Sequence, residues 1–353
     1  MCKITNENKK DSQHPSTSAS STTNSNGSAN ATTTTKVDTT TEIVSGIPPW
    51  HSVTFLVAVV AMYVSCLPTL ESLDKHATIE MFTDRVFNEY MSVKQLALIR
   101  AAIALSIWIT NYIMITDPKG WTQITSYKNW SKLRTVPIKL QGWRTLFPFT
   151  SWAWTLLGLS FTINATIPLL VEYDRNVSPW LLRLGLILWE VSAPVAYLVS
   201  GVVKYAIWPA VLAKNKGKDY DHGLDTPRNF MQHNMNSIFA LFETTMLGGL
   251  PIRIQHFALC PLLGITYVLF AWLSRHIHCP NEKDAGPQFL YWFFDTTLGA
   301  FTSYALGALL LALTFGFGIF VMISNLESLV GDSFILRSIS LVALSSIVYR
   351  DRA

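Results

Sequence analysis

The chain repeats apolar stretches close to the roughly 20 residues that a helix needs to cross a bilayer. Two of them carry polar groups at what would be membrane depth. They are FTSWAWTLLGLSFTINATIPLLV at 149–171 and HNMNSIFALFE at 233–243, inside a longer apolar stretch. Backbone in hydrocarbon has to satisfy its amides internally, so stretches of this length become helices. Half of the residues are hydrophobic and 14% are charged, against about 25% charged in an average soluble protein. The expected fold class is all-α, a polytopic transmembrane helical bundle of six to seven spans.

The apolar stretches fall at about 53–70, 96–116, 149–171, 184–208, 230–248, 257–274 and 297–323. The first is short and interrupted by Pro68. The fourth holds Glu190 and Pro194, and a kink is expected near Pro194. The fifth and sixth are separated by Gly248–His256, so they are expected to form an antiparallel hairpin. The stretch Phe334–Tyr349 is apolar but contains Arg337, which suits an interfacial helix. These elements define a transmembrane domain over 46–353. Residues 1–45 differ: Ser16–Thr35 is almost entirely Ser, Thr, Asn and Ala. Such a tail has little to bury and is expected to be disordered. It lacks the charge-apolar-small order of a cleaved signal peptide, so the first stretch reads as an uncleaved anchor.

Orientation follows Lys and Arg in short loops. Loop 117–148 carries Lys119, Lys128, Lys132, Arg134, Lys139 and Arg144, and loop 209–229 carries Lys214, Lys216, Lys218 and Arg228. Both are expected in the cytosol. Seven spans then place the N-terminus in the cytosol and the C-terminus opposite. Trp121, Trp130 and Trp143 fit the headgroup level. The sequons at Asn129 and Asn164 are expected to be silent, the first in a cytosolic loop and the second inside a span. Asn176 is expected on the non-cytosolic side, close to the membrane and with Pro179 after its acceptor serine. The protein is expected to be integral and multi-pass, with membrane lipids as partners.

The basic residues sit beside apolar stretches and report topology, so no nucleic-acid role is expected. Cys2, Cys66, Cys260 and Cys279 form no CxxC pair, which implies neither a metal site nor a disulfide framework. Cys260 reads as apolar packing. His276 and His278 form an HxH pair with His256 upstream, too few ligands for a metal. No metal and no cofactor is expected. No nucleotide loop, GxSxG elbow or HExxH is present.

Polar groups inside apolar spans face other helices or an aqueous cavity. At 100° per residue, His233, Asn236 and Glu243 share one face, bordered by Ser237 and Thr244. That stripe serves either interhelical hydrogen bonding or a site. Glu243 lies about 15 Å along the axis from His233, so it does not orient that ring. Glu190 reads as a buried carboxyl bonded to a neighbouring helix. Thr150 opens the third span after Pro148, a position suited to an N-cap.

Four stretches resemble the androgen-induced-gene and rolling-stone group of multi-pass membrane proteins. They are FPFTSWAWTLLGLSF at 147–161, LILWEVSAPVAYLVSGVVKYAIW at 186–208, HNMNSIFALFE at 233–243, and PIRIQHFALCPLLGITYVLFAWL followed by FLYWFFD. Each motif is loose, and their common order carries the likeness. Some members of that group resemble hydrolases of fatty acid esters of hydroxy fatty acids, with an intramembrane threonine and histidine. The resemblance implies Thr150 as nucleophile. The family histidine is the second of an HxxH pair, and Asn236 stands there. His233 is the remaining candidate base, one turn away. The HxxN form is similar to the rolling-stone branch.

Two functions follow. One is a lipid-binding membrane protein without catalysis, with Asn236, Glu243 and Glu190 as binding residues. The other is an intramembrane threonine hydrolase acting on a fatty acyl ester, with Thr150 and His233 as catalytic pair. A transporter or receptor is a further alternative, although the sequence shows no inverted repeat, DRY or NPxxY.

Overall fold

The structure, a computed structural model, describes residues 49–214, 226–248, 250–275, 277 and 287–350. The tail expected over 1–45 lies outside the described residues, as do His276 and His278. Among those described, five helices are long and apolar enough to cross a membrane. The number is six when one bent pair counts as a single span. The protein has the architecture of a multi-pass helical membrane protein.

The bent pair is α1 (Pro49–Ser65) and α2 (Leu70–His76), which meet at 51°. Pro68 sits in the break. Thr69 caps α2, its hydroxyl accepting from the Ser72 N–H at 3.2 Å. A short α3 (Ile79–Thr83) follows. Helix α4 (Val93–Thr116) starts in a reciprocal capping box between Ser92 and Gln95. The basic loop after it is more ordered than its composition suggests. Strands β1 (Trp121–Ile124) and β2 (Pro137–Leu140) pair antiparallel, with Trp121 opposite Leu140. This hairpin docks on the segment at 287–299. Thr125 Oγ1 donates to the Phe289 carbonyl at 2.7 Å, and the Lys128 ammonium lies 4.4 Å from the Trp292 ring centre.

Helix α5 (Phe149–Glu172) packs between α4 and α6 (Pro179–Val202). Helix α6 continues through a π turn at Val203–Ile207 into α7 (Trp208–Lys214). The expected kink at Pro194 is not where the helix changes form. The α-helix runs through Pro194, and the departure into π geometry comes at Val203. Proline lacks the N–H that would bond the carbonyl four residues earlier, and an orphaned carbonyl in a membrane needs another donor. Here Cys260 supplies one, its thiol donating to Glu190 O at 3.6 Å and Val191 O at 3.7 Å. Pro168 in α5 likewise orphans Asn164 O, which Arg100 Nη1 reaches at 3.1 Å. Cys260 is therefore more than apolar packing.

The fifth stretch forms α8 (Pro227–Phe230), a π turn at Met231–Met235 and α9 (Asn236–Met246). It is helical but not among the five apolar spans. Helix α10 (Leu259–Ser274) leads to α11 (Ala300–Leu329) and α12 (Phe334–Val348). The hairpin expected between the fifth and sixth stretches does not form. Helix α9 packs on α12 and α6, whereas α10 packs on α11 and α6.

Helix α12, the stretch expected at an interface, packs on the bundle. It runs antiparallel along α9. At its start Arg337 Nη1 donates to Thr245 O at 3.0 Å. At its end the Arg350 N–H donates to Asn234 Oδ1 at 3.2 Å, and Lys204 Nζ reaches Ser346 O at 2.7 Å. The chain thus returns to the end of the bundle that carries loop 209–229. The last described residue, Arg350, lies at that end, whereas seven spans put the end of the chain opposite.

Candidate functional site

The residues expected to form one site fall into three buried polar centres.

The first is an ion pair. Glu243 on α9 and Arg100 on α4 are both fully buried. Arg100 Nη2 and Nε donate to the two Glu243 oxygens at 2.6 and 3.0 Å. Its Nη1 donates to Phe82 O at 2.6 Å and to Asn164 O. One guanidinium thereby ties α3, α4, α5 and α9 together. Gly248 lies against it: a Cβ there would collide with Arg100 Nη2 and stand 2.9 Å from Asp84 O. Glu243 is a structural partner, and Arg100 is the member the sequence reading missed. An arginine inside an apolar span was the available signal.

The second centre lies where α5 begins beside the π turn of α8–α9. Thr150 does not cap α5. The N-cap is Pro148, with no side-chain cap, and the Phe149 N–H donates to the Tyr291 hydroxyl at 3.2 Å. Burial pushes the Tyr291 phenol up to about 12, so it stays protonated near neutrality. Thr150 sits half-buried in the first turn. The residue that meets the π turn is its neighbour Ser151, which accepts from Gln232 Nε2 at 3.2 Å and donates to Thr145 O at 3.0 Å. No hydrogen bond joins Thr150 to His233 among the described residues.

His233 lies in the π turn and Asn236 opens the regular helix after it. A π turn pairs residues five apart, so the 100° spacing assumed from His233 to Asn236 does not hold there. His233 is buried and its Nδ1 has no hydrogen-bond partner among the described residues. Asn236 is fully buried, and neither its amide oxygen nor its nitrogen has one. Trp154 Nε1, one turn beyond Ser151, is in the same condition, and its ring stacks on Phe239 of α9 at 6.1 Å.

No protein-family model, curated protein or solved structure matches the chain.

The third centre surrounds Glu190. Both of its oxygens are bonded. Oε1 accepts from the Arg253 N–H at 3.2 Å, and Oε2 lies 2.5 Å from His256 Nδ1. The other ring nitrogen of His256, Nε2, lies 3.2 Å from Ser72 Oγ. His76, one turn along α2 from Ser72, packs edge-on against His256 with ring centres 5.5 Å apart. Glu190 and His256 are fully buried, and Ser72 is half-buried. The sequence reading found Glu190 with its expected interhelical bond, but not its partners. His256 was grouped with the HxH pair, and Ser72 carried no sequence signal.

Proposed function

We propose that this multi-pass membrane protein binds the polar part of a membrane lipid between α5 and α9, without turning it over. The supporting observation is Asn236, fully buried with both amide atoms unpartnered among the described residues. A buried polar group left unpaired costs about 1–3 kcal/mol, and native proteins rarely tolerate it without a role. His233 Nδ1 and Trp154 Nε1 add a second and third group that suit a hydroxyl, ester or headgroup oxygen. The hydrolytic alternative has less support, since Ser151 rather than Thr150 meets the π turn and Asn236 cannot act as a base. The non-catalytic reading matches the HxxN resemblance to the rolling-stone branch.

The test uses the full chain in nanodiscs with a photoactivatable phospholipid. Asn236→Leu removes the unpaired groups at similar volume. The variant is expected to keep its fold, lose crosslinking at α5 and α9, and lose the thermal stabilisation that added lipid gives the wild type. Equal crosslinking in variant and wild type refutes the proposal. Covalent labelling of Thr150 by a hydrolase probe favours the threonine enzyme instead.

A further inference from the structure

The Glu190 centre has the order of groups found in serine hydrolases. A nucleophile hydroxyl meets one imidazole nitrogen, and a buried carboxylate holds the other. We infer that Ser72, His256 and Glu190 form a catalytic triad that cleaves carboxylic esters of membrane-resident acyl chains. It is a different place from the α5–α9 cluster and does not rest on it.

Three features carry the inference. The geometry places Ser72 Oγ 3.2 Å from Nε2 and Glu190 Oε2 2.5 Å from Nδ1. Nδ1–H donating to the carboxylate leaves Nε2 as the acceptor facing the hydroxyl, the tautomer a general base needs. The second Glu190 oxygen is held by the Arg253 N–H, so the carboxylate accepts at both ends and is fixed in direction. Burial is graded as well: His256 and Glu190 are fully buried, while Ser72 as a residue is half-buried.

The surroundings point to the substrate. Ser72 lies on α2, just past the break from α1. Val57, Met62 and Val64 of α1 and Leu70 of α2 are exposed apolar side chains. Such an apolar surface on the helices that carry Ser72 is compatible with a substrate whose hydrocarbon part stays in the bilayer. Arg253, half-buried beside Glu190, has its Nη1 facing the Met81 sulfur at 3.8 Å, and it pairs with no carboxylate among the described residues.

The steps balance with water as the only co-reactant. Ser72 Oγ attacks the carbonyl carbon as its proton passes to His256 Nε2. The C–O bond to the alcohol breaks, and His256 returns that proton to the leaving oxygen. Water then attacks the acyl-serine, giving its proton to His256. The acid leaves, and the proton restores Ser72.

The test is activity-based labelling of the purified full chain in detergent and in nanodiscs with a fluorophosphonate, the modified residue being located by mass spectrometry. Labelling at Ser72 is expected. Ser72→Ala is expected to abolish it while the protein stays folded, with at most the small loss in apparent Tm that one hydrogen bond carries. His256→Gln is expected to lower nitrophenyl acyl ester hydrolysis about a hundredfold or more. Should that variant fail to fold, Ser72→Cys provides the second reading. Beside His256 its thiol is expected to alkylate at least tenfold faster than a cysteine placed at exposed Glu71. A folded wild type that takes no label at Ser72, or labels only at another residue, overturns the inference. So does a Ser72→Cys thiol no faster than the Glu71→Cys control.

Discussion

Breaking the Arg100–Glu243 pair from one side should cost far more than replacing both members. Arg100 makes four hydrogen bonds, two to the carboxylate and two to backbone carbonyls, from a fully buried position. Glu243→Leu leaves the guanidinium with two carbonyls and no counter-charge. Arg100→Met leaves the carboxylate with no cation and orphans Asn164 O for a second time, Pro168 having already removed its helical donor. A buried charge stripped of its partner typically costs about 3–5 kcal/mol. At a few degrees per kcal/mol, that is a fall of roughly 10 °C in apparent Tm. The double variant Arg100→Met/Glu243→Leu removes both desolvated charges and should recover most of the loss. The assay is thermal unfolding in one detergent, followed by size-exclusion of the soluble fraction. Single variants that lose less than about 0.5 kcal/mol, the range of surface changes, would refute the clamp. A double variant no better than the worse single would refute the pairing logic.

Gly248→Ala should destabilise by about 1–3 kcal/mol through overpacking, because its Cβ meets Arg100 and the Asp84 carbonyl. The same thermal assay checks it, and a neutral result would mean the Arg100 contact yields easily. A tag placed after residue 353 should be protected or accessible together with a cysteine introduced in loop 209–229. The contacts of Lys204 with Ser346, and of Asn234 with Arg350, put them at one end. Opposite accessibility in sealed vesicles would contradict that placement of α12. Ser92→Ala removes the α4 capping box and should lower stability by about 1 kcal/mol, with no change in labelling at Ser72.

What the sequence revealed and what it hid have physical causes. Long apolar spans were legible because the bilayer sets their length, and the structure keeps α4, α5, α6, α10 and α11 close to their expected places. The break at Pro68 was legible because proline cannot continue a hydrogen-bond ladder. Fifteen residues with one arginine do not say which neighbour α12 packs on, and the contacts of Arg337 and Arg350 show that it lies along α9. Uniform α geometry puts His233 and Asn236 on one stripe, and the π turn at Met231–Met235 defeats that. Glu190 was legible as a buried acid. Its partner His256 lies 66 residues on, and Ser72 lies 184 residues before that histidine. No local pattern connects such distant positions.

Hydrogen-bond accounting separates the three polar centres by role. At Arg100–Glu243 four guanidinium bonds reach both carboxylate oxygens and two backbone carbonyls, and the centre ties helices together. Around Glu190 each carboxylate oxygen holds one bond, and one of them leads to a histidine whose far nitrogen faces a half-buried hydroxyl. At Asn236 the balance is reversed. Two amide atoms, a ring nitrogen and an indole N–H lie buried with no described partner. Each such group left unpaired costs about 1–3 kcal/mol, which is the ground for the lipid-binding proposal at this centre. The same rule separates a centre whose bonds tie helices together from two whose proposed roles, ester cleavage and lipid binding, the labelling and crosslinking experiments test.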